Sequence, residues 1–210
     1  MRAVILCGGK IAEYGRVRGR IAEDDMIICA DSGYRHAKKM GLRPAVVLGD
    51  FDSYARTDVE CDHILTYPAK KDYTDSEIAV RYALEHGCDT ILLLGATGGR
   101  IDHTLGNLSL LDYILQRGAS GELYDGVSSV WMAQGTITVS GQAGDLLSVI
   151  PFAEAGDLTT HGLAYPLRHQ ALAGASTGIS NVFETDCVQL EIGSGKAIVV
   201  HTPQGLDKMD

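Results

Sequence analysis

The stretch TILLLGATGGRIDHTLGNLSLLDYILQRG, residues 90–118, decides the fold. An uncharged run rich in Ile and Leu enters Gly95-Ala96-Thr97-Gly98-Gly99. Ile101, Leu105, Leu108, Leu111 and Leu115 then recur at helical spacing until Gly118. Consecutive apolar positions describe a strand covered on both faces, and the following stripe describes a helix stopped by glycine. A strand, a glycine corner and a helix form part of a βαβ unit.

Upstream, apolar runs at 3–7, 26–30, 45–48 and 63–66 repeat the strand signal. Residues 76–86, with Ile78, Ala79, Tyr82 and Ala83 ended by Gly87, repeat the helical one. After Tyr124 the period changes. Short β-rich runs at 129–133, 136–139, 146–151, 188–192 and 197–202 are separated by Gly135, Gly141, Gly144, Gly156, Gly193 and Gly195, which reads as an antiparallel sandwich or barrel-like domain. The expected fold is α/β: an N-terminal Rossmann-like parallel-sheet domain, 1–125, followed by a C-terminal all-β sandwich domain, 126–210.

Composition agrees with a globular protein: 45% hydrophobic and 21% charged residues over 210 positions. Acidic residues outnumber basic ones 27 to 18, for a net charge of −9, which argues against nucleic acid as a partner. The five cysteines include no C-x-x-C pair; Cys7 and Cys29 close apolar runs and read as buried. The apolar run before Gly8-Gly9-Lys10 is too short for a signal-peptide core or a membrane span, so a cytoplasmic protein is expected.

The chemistry should lie where strands end, because open α/β sheets bind ligands outside their carboxyl edge. Asp31 follows one strand. Asp50 and Asp52 follow the next, and in extended geometry both point to one side. Hard oxygen ligands of this kind favour Mg²⁺, although Asp in such positions also makes turns. In 71–77, Thr74 and Glu77 read as a capping box, Asp75 falls at the first helical position, and Asp72 beside Lys71 has no capping reason. Gly98, Gly99 and Arg100 offer amides and a planar fork to phosphate oxygens, while His103 and Asn107 share a helix face. Carboxylates gathered on one sheet edge repel unless a cation neutralises them.

In these residues the sequence resembles the thiamine pyrophosphokinase family. The matching pieces, in order, are Ala30-Asp31-Ser32-Gly33, Gly49-Asp50-Phe51-Asp52-Ser53, the 71–77 cluster, and Thr97 through Asn107. In the second half they are Gly162-Leu163-Ala164-Tyr165-Pro166-Leu167 and Gly178-Ile179-Ser180-Asn181. Ser32 and Val182 depart from the family pattern.

The resemblance implies transfer of pyrophosphate from ATP to thiamine by a homodimer with sites at the subunit junction. Mg²⁺ would be held by Asp50, Asp52 and either Asp72 or Asp75. Arg100 and the Gly98-Gly99 amides would neutralise the phosphates, with Asp75 or Asp102 as proton acceptor. Asp31, Lys71, Thr97, His103 and Asn107 would serve the nucleotide side, and Ser180 and Asn181 the thiamine pyrimidine. The rival readings are a metal-dependent sugar-nucleotide transferase using Asp50-x-Asp52, and a non-catalytic nucleotide- or thiamine-binding protein.

Overall fold

The computed structural model describes residues 1–50, 59–68, 70, 72–172 and 176–206. The chain divides into two compact units, Met1–Gly126 and Val127–Asp210. The first contains β1 (Arg2–Leu6), α1 (Tyr14–Gly19), β2 (Met26–Ala30), a 3₁₀ turn (Asp31–Gly33), α2 (Tyr34–Lys39), β3 (Val46–Gly49), β4 (His63–Thr66), α3 (Asp75–Glu85), β5 (Thr90–Leu94), α4 (Ile101–Gln116) and β6 (Ser120–Tyr124). Its strands run in the order β6-β5-β1-β2-β3-β4, and every pair is parallel.

The uninterrupted Val, Ile and Leu of the central strands follow from burial on both faces. Ala3, Val4, Ile5 and Leu6 of β1 are each 0% exposed, with Ile5 beside Ile28 on one side and Leu93 on the other. β4, at the edge, exposes His63 and Thr66. The helices behave locally as their ends dictate. Thr74 caps α3, its Oγ1 accepting the Glu77 N–H at 3.2 Å. The expected reciprocal bond from Glu77 is replaced by an ion pair with Arg81, 2.7 Å away and one turn on. Gly87 and Gly118 follow α3 and α4 with φ of +79° and +75°, the left-handed conformation that ends a helix.

The apolar stripe of α4 needs correction. Its buried residues are Asn107, Leu110, Leu111 and Ile114, whereas Ile101 and Leu105 are 74% and 58% exposed. The set 107, 110, 111, 114 satisfies helical spacing as well as the expected set does, and packing chose it.

The second unit comprises β7 (Ser129–Ser140), β8 (Leu146–His161), β9 (Gln170–Leu172), β10 (Asn181–Val182) and β11 (Cys187–Thr202). The pairing is antiparallel in the order β10-β8-β11-β7, with β9 against β8. The expected short strands at 129–133 and 136–139 are one continuous strand, as are those at 188–192 and 197–202. Gly135 and Gly195, with φ of +66° and +76°, lie within strands, and the register shifts between Ile192 and Ala197. Glycine there makes a bulge that bends the strand rather than a turn that ends it. Val188, Leu190 and Ile192 before the bulge and Ala197 and Val199 after it belong to one buried cluster, as in a sheet doubled over on its own core. No helix among the described residues is long and apolar enough to cross a membrane.

Candidate functional site

In the first unit the strand order reverses at β1, which pairs with β2 on one side and β5 on the other. The loops leaving β1 and β5 therefore part company and open a crevice at the carboxyl edge. There lies a cleft of about 310 Å³, walled by Cys7-Gly8-Gly9 after β1, Ala30-Asp31-Ser32 after β2, Thr74-Asp75-Ser76 at the start of α3, and the loop from Gly95 to Arg100 after β5. His103, Thr104 and Asn107 of α4 complete it.

Backbone packs directly on backbone around this cleft. A β-carbon on Gly33 would strike the Leu6 carbonyl, one on Gly9 the carbonyls of Thr97 and Gly95, and one on Gly49 would come within 3.1 Å of the Asp31 Cα. The loops can approach this closely only because glycine lacks that atom. Asn107 secures the floor from α4, its buried Nδ2 donating to the Ala96 carbonyl at 2.7 Å. The Gly98 and Gly99 amides donate to no backbone carbonyl among the described residues, so they remain available to a ligand oxygen.

The candidate residues fall into distinct positions. Asp31, with φ of +46°, Asp75 at the first position of α3, Thr97, Gly99, Arg100, His103 and Asn107 line the cleft. Asp50 follows β3 beside Asp31, since Leu48 and Ala30 are register partners. Asp72 is exposed just ahead of α3. Asp52 and Lys71 lie outside the described residues.

Arg100 and Asp102 form a two-pronged pair, 3.1 Å from Nε and 2.5 Å from Nη2. The guanidinium holds the Asp102 carboxyl below its ordinary range. Burial pushes the Cys7 thiol up to about 11, so the sulfur at the cleft wall is no thiolate. Among the described residues no three His, Cys, Asp or Glu side chains cluster tightly enough to hold a metal alone.

In the second unit the two C-terminal motifs meet. The Asn181 side chain accepts the Tyr165 N–H at 3.0 Å and donates to the Tyr165 carbonyl at 2.6 Å, so it binds the 162–167 segment to β10. Its Oδ1 also accepts the Val182 N–H at 2.9 Å. These bonds tie a 6%-exposed amide to the backbone. Ser180 is exposed, with φ of +56° and its N–H on Ser148 Oγ, and Tyr165 is 72% exposed.

In the sequence Gly8-Gly9-Lys10 reads only as the end of an apolar run, and α2 carries no clear signal. In the structure that loop walls the cleft, and α2 holds it. Buried His36 places Nε2 2.8 Å from the Gly9 carbonyl and Nδ1 2.6 Å from the Tyr14 hydroxyl. Arg35 Nη2 donates to the Gly8 carbonyl at 2.5 Å. The available signal was position, a Gly-Gly pair directly after a strand.

Residues 18–120 match the family described as thiamin pyrophosphokinase, catalytic domain, and residues 135–197 that described as thiamin pyrophosphokinase, vitamin B1 binding domain. The thiamine pyrophosphokinase of Bacillus subtilis (strain 168) is 32% identical over 186 residues, covering 84% of this chain and 87% of that protein. The crystal structure of thiamine pyrophosphokinase from Bacillus subtilis superposes with a TM-score of 0.87 at 28% identity, over 97% of this chain and 99% of the other. That of Geobacillus thermodenitrificans does so with a TM-score of 0.82 at 28% identity, over 98% and 99%.

Proposed function

Given that the chain belongs to the thiamin pyrophosphokinase family, we propose that it transfers the pyrophosphoryl group of ATP to the hydroxyl of thiamine, yielding thiamine diphosphate and AMP. The observation that carries this reading is the cleft itself, where the glycine loop, Arg100, Asp31 and Asp75 converge at the reversal of strand order. The two matched domain descriptions leave the sugar-nucleotide reading without support.

In the reaction the thiamine oxygen bonds to the β-phosphorus, the bond from that phosphorus to the α-phosphate oxygen breaks, and AMP departs with the electron pair. Asp75 takes the hydroxyl proton, its carboxylate standing at the cleft wall where α3 begins. The Gly98-Gly99 amides and the Arg100 fork bind the phosphate oxygens, and Asn107 keeps that loop in place. Arg100 can turn from Asp102 towards phosphate because its side chain is 76% exposed.

The residues present suit Mg²⁺: Asp50 and Asp31 emerge side by side from neighbouring strands, offer only hard oxygens, and are too few to hold a cation without substrate phosphates. Asp50, with Asp52 and Asp72, would hold it, leaving Asp75 to the proton, and the ion would supply charge neutralisation across the phosphates. The domain of residues 126–210 serves thiamine, with Ser180 as the contact and Asn181 as a positioning residue behind Tyr165. The enzyme works in the cytoplasm as a homodimer, with a second copy covering Ile101 and Leu105 beside the cleft-lining His103 and Thr104.

The test is thiamine-dependent AMP release. AMP and thiamine diphosphate should form in equal amounts from ATP with Mg²⁺ present. Binding of both ligands without turnover would assign a non-catalytic role, and AMP formation that ignores thiamine would refute the proposal.

A further inference from the structure

Beside the cleft, and sharing its Gly8, Gly9 and Gly99 walls, lies a second recess of about 460 Å³. Among the described residues its charged side chains are Lys10, Arg35 and Lys39, and no carboxylate lines it. This is the reverse of the chain as a whole, in which acidic residues outnumber basic ones 27 to 18. The walls suit an anion in other ways. The carbonyls of Gly8 and Gly9, which would repel one, are engaged by Arg35 and His36. Lys39 is steadied by the Tyr14 ring, its Nζ 4.0 Å from the centroid, and Tyr14 is in turn bonded to His36. Gly98, which also lines the recess, carries one of the amides that find no backbone partner among the described residues.

We propose that this basic recess takes the terminal phosphoryl group of a nucleoside triphosphate whose remaining phosphates lie in the adjoining cleft. The inference rests on the nucleotide reading of that cleft and adds Lys10, Arg35 and Lys39 to the residues that determine specificity. It accounts for an asymmetry the reaction needs. A triphosphate spans the cleft and the recess, whereas the AMP that leaves has no group to reach Lys10, Arg35 or Lys39, and dissociates. The terminal phosphate remains with the thiamine product.

Direct calorimetric titration of the full chain with ATP, AMP and inorganic pyrophosphate tests this, comparing the parent with Lys10→Gln, Arg35→Gln and Lys39→Gln. Each variant should bind ATP about tenfold more weakly, the effect of losing one charged hydrogen bond, and should bind AMP within about twofold of the parent. Pyrophosphate should compete with ATP. Arg35→Lys and Lys39→Arg should recover part of the loss, and they carry the test if a glutamine variant fails to fold. Arg117→Gln, which removes an exposed cation remote from these loops, should leave ATP affinity unchanged.

Equal losses for ATP and AMP, an unchanged ATP affinity, or pyrophosphate binding that does not compete with ATP would each overturn the assignment. Normal ATP binding without thiamine-dependent AMP release would fault the proposed reaction and leave the recess assignment standing.

Discussion

Replacing Asn181 with alanine separates a positioning role from a ligand contact. The amide makes three hydrogen bonds, to Tyr165 N at 3.0 Å, Tyr165 O at 2.6 Å and Val182 N at 2.9 Å, from a residue 6% exposed. A typical internal bond contributes about 0.5–1.5 kcal/mol net, and a buried group left unpaired costs about 1–3 kcal/mol. Tyr165 is largely exposed, so water replaces part of what is lost, and the expected destabilisation is about 2–3 kcal/mol. For a chain of this length that lowers Tm by about 4–12 °C. Scanning calorimetry gives the shift, and urea unfolding with an unchanged m-value verifies that stability has changed. Asn181→Asp should be at least as damaging, because a carboxylate turned towards the Tyr165 carbonyl has no proton to donate. Ser180→Ala should leave Tm within about 2 °C and act on the KM for thiamine. An Asn181→Ala protein with parental Tm and a KM for thiamine raised tenfold or more would refute this reasoning and make Asn181 a direct ligand contact.

Asp50→Asn should lower turnover by more than tenfold while leaving Tm unchanged, with partial rescue by raised Mg²⁺; near-parental activity at low Mg²⁺ would remove Asp50 from the cation site. Asp52→Asn is expected to behave alike on sequence grounds. Arg100→Lys should lose about tenfold or more in kcat, because an ammonium lacks the planar fork, whereas activity within about twofold would reduce Arg100 to the partner of Asp102. Burial lowers the pKa of His36, so below about pH 6.5 the unfolded chain takes up a proton that the folded one refuses, and stability falls with pH there. Urea midpoints at pH 7.5 and 5.5 should differ less in His36→Gln than in the parent, and an identical pH dependence would show that His36 titrates freely.

The parallel sheet was legible because β1, β2, β3 and β5 are buried on both faces and therefore apolar at nearly every position. The short α1 and α2 were not, since six residues fall short of two helical turns and a stripe needs at least that many to repeat. In the second unit glycine misled. The same residue ends a strand at Gly141 and bends one at Gly135 and Gly195, and only the partner strand decides which. The acidic residues of the cleft could be read from their places after strands. Asn181 could be marked as special, but its bonds to the Tyr165 backbone could not, because an amide bonded to backbone and an amide facing a ligand look alike in a sequence.

The strand order also sets a timetable for synthesis. β1 is made first yet occupies an interior position, and Ala3 must wait for Ile91 before its second edge is covered. At about 5–20 residues per second, the roughly 90 residues between them take about 5–20 s to appear. Throughout that interval the nascent chain can offer β1 the β2 ladder on one side only, leaving Val4, Ile5 and Leu6 beside an open edge. The emergence of β5 is therefore the step that covers the second edge of β1, and it passes the open edge on to β5 until β6 follows.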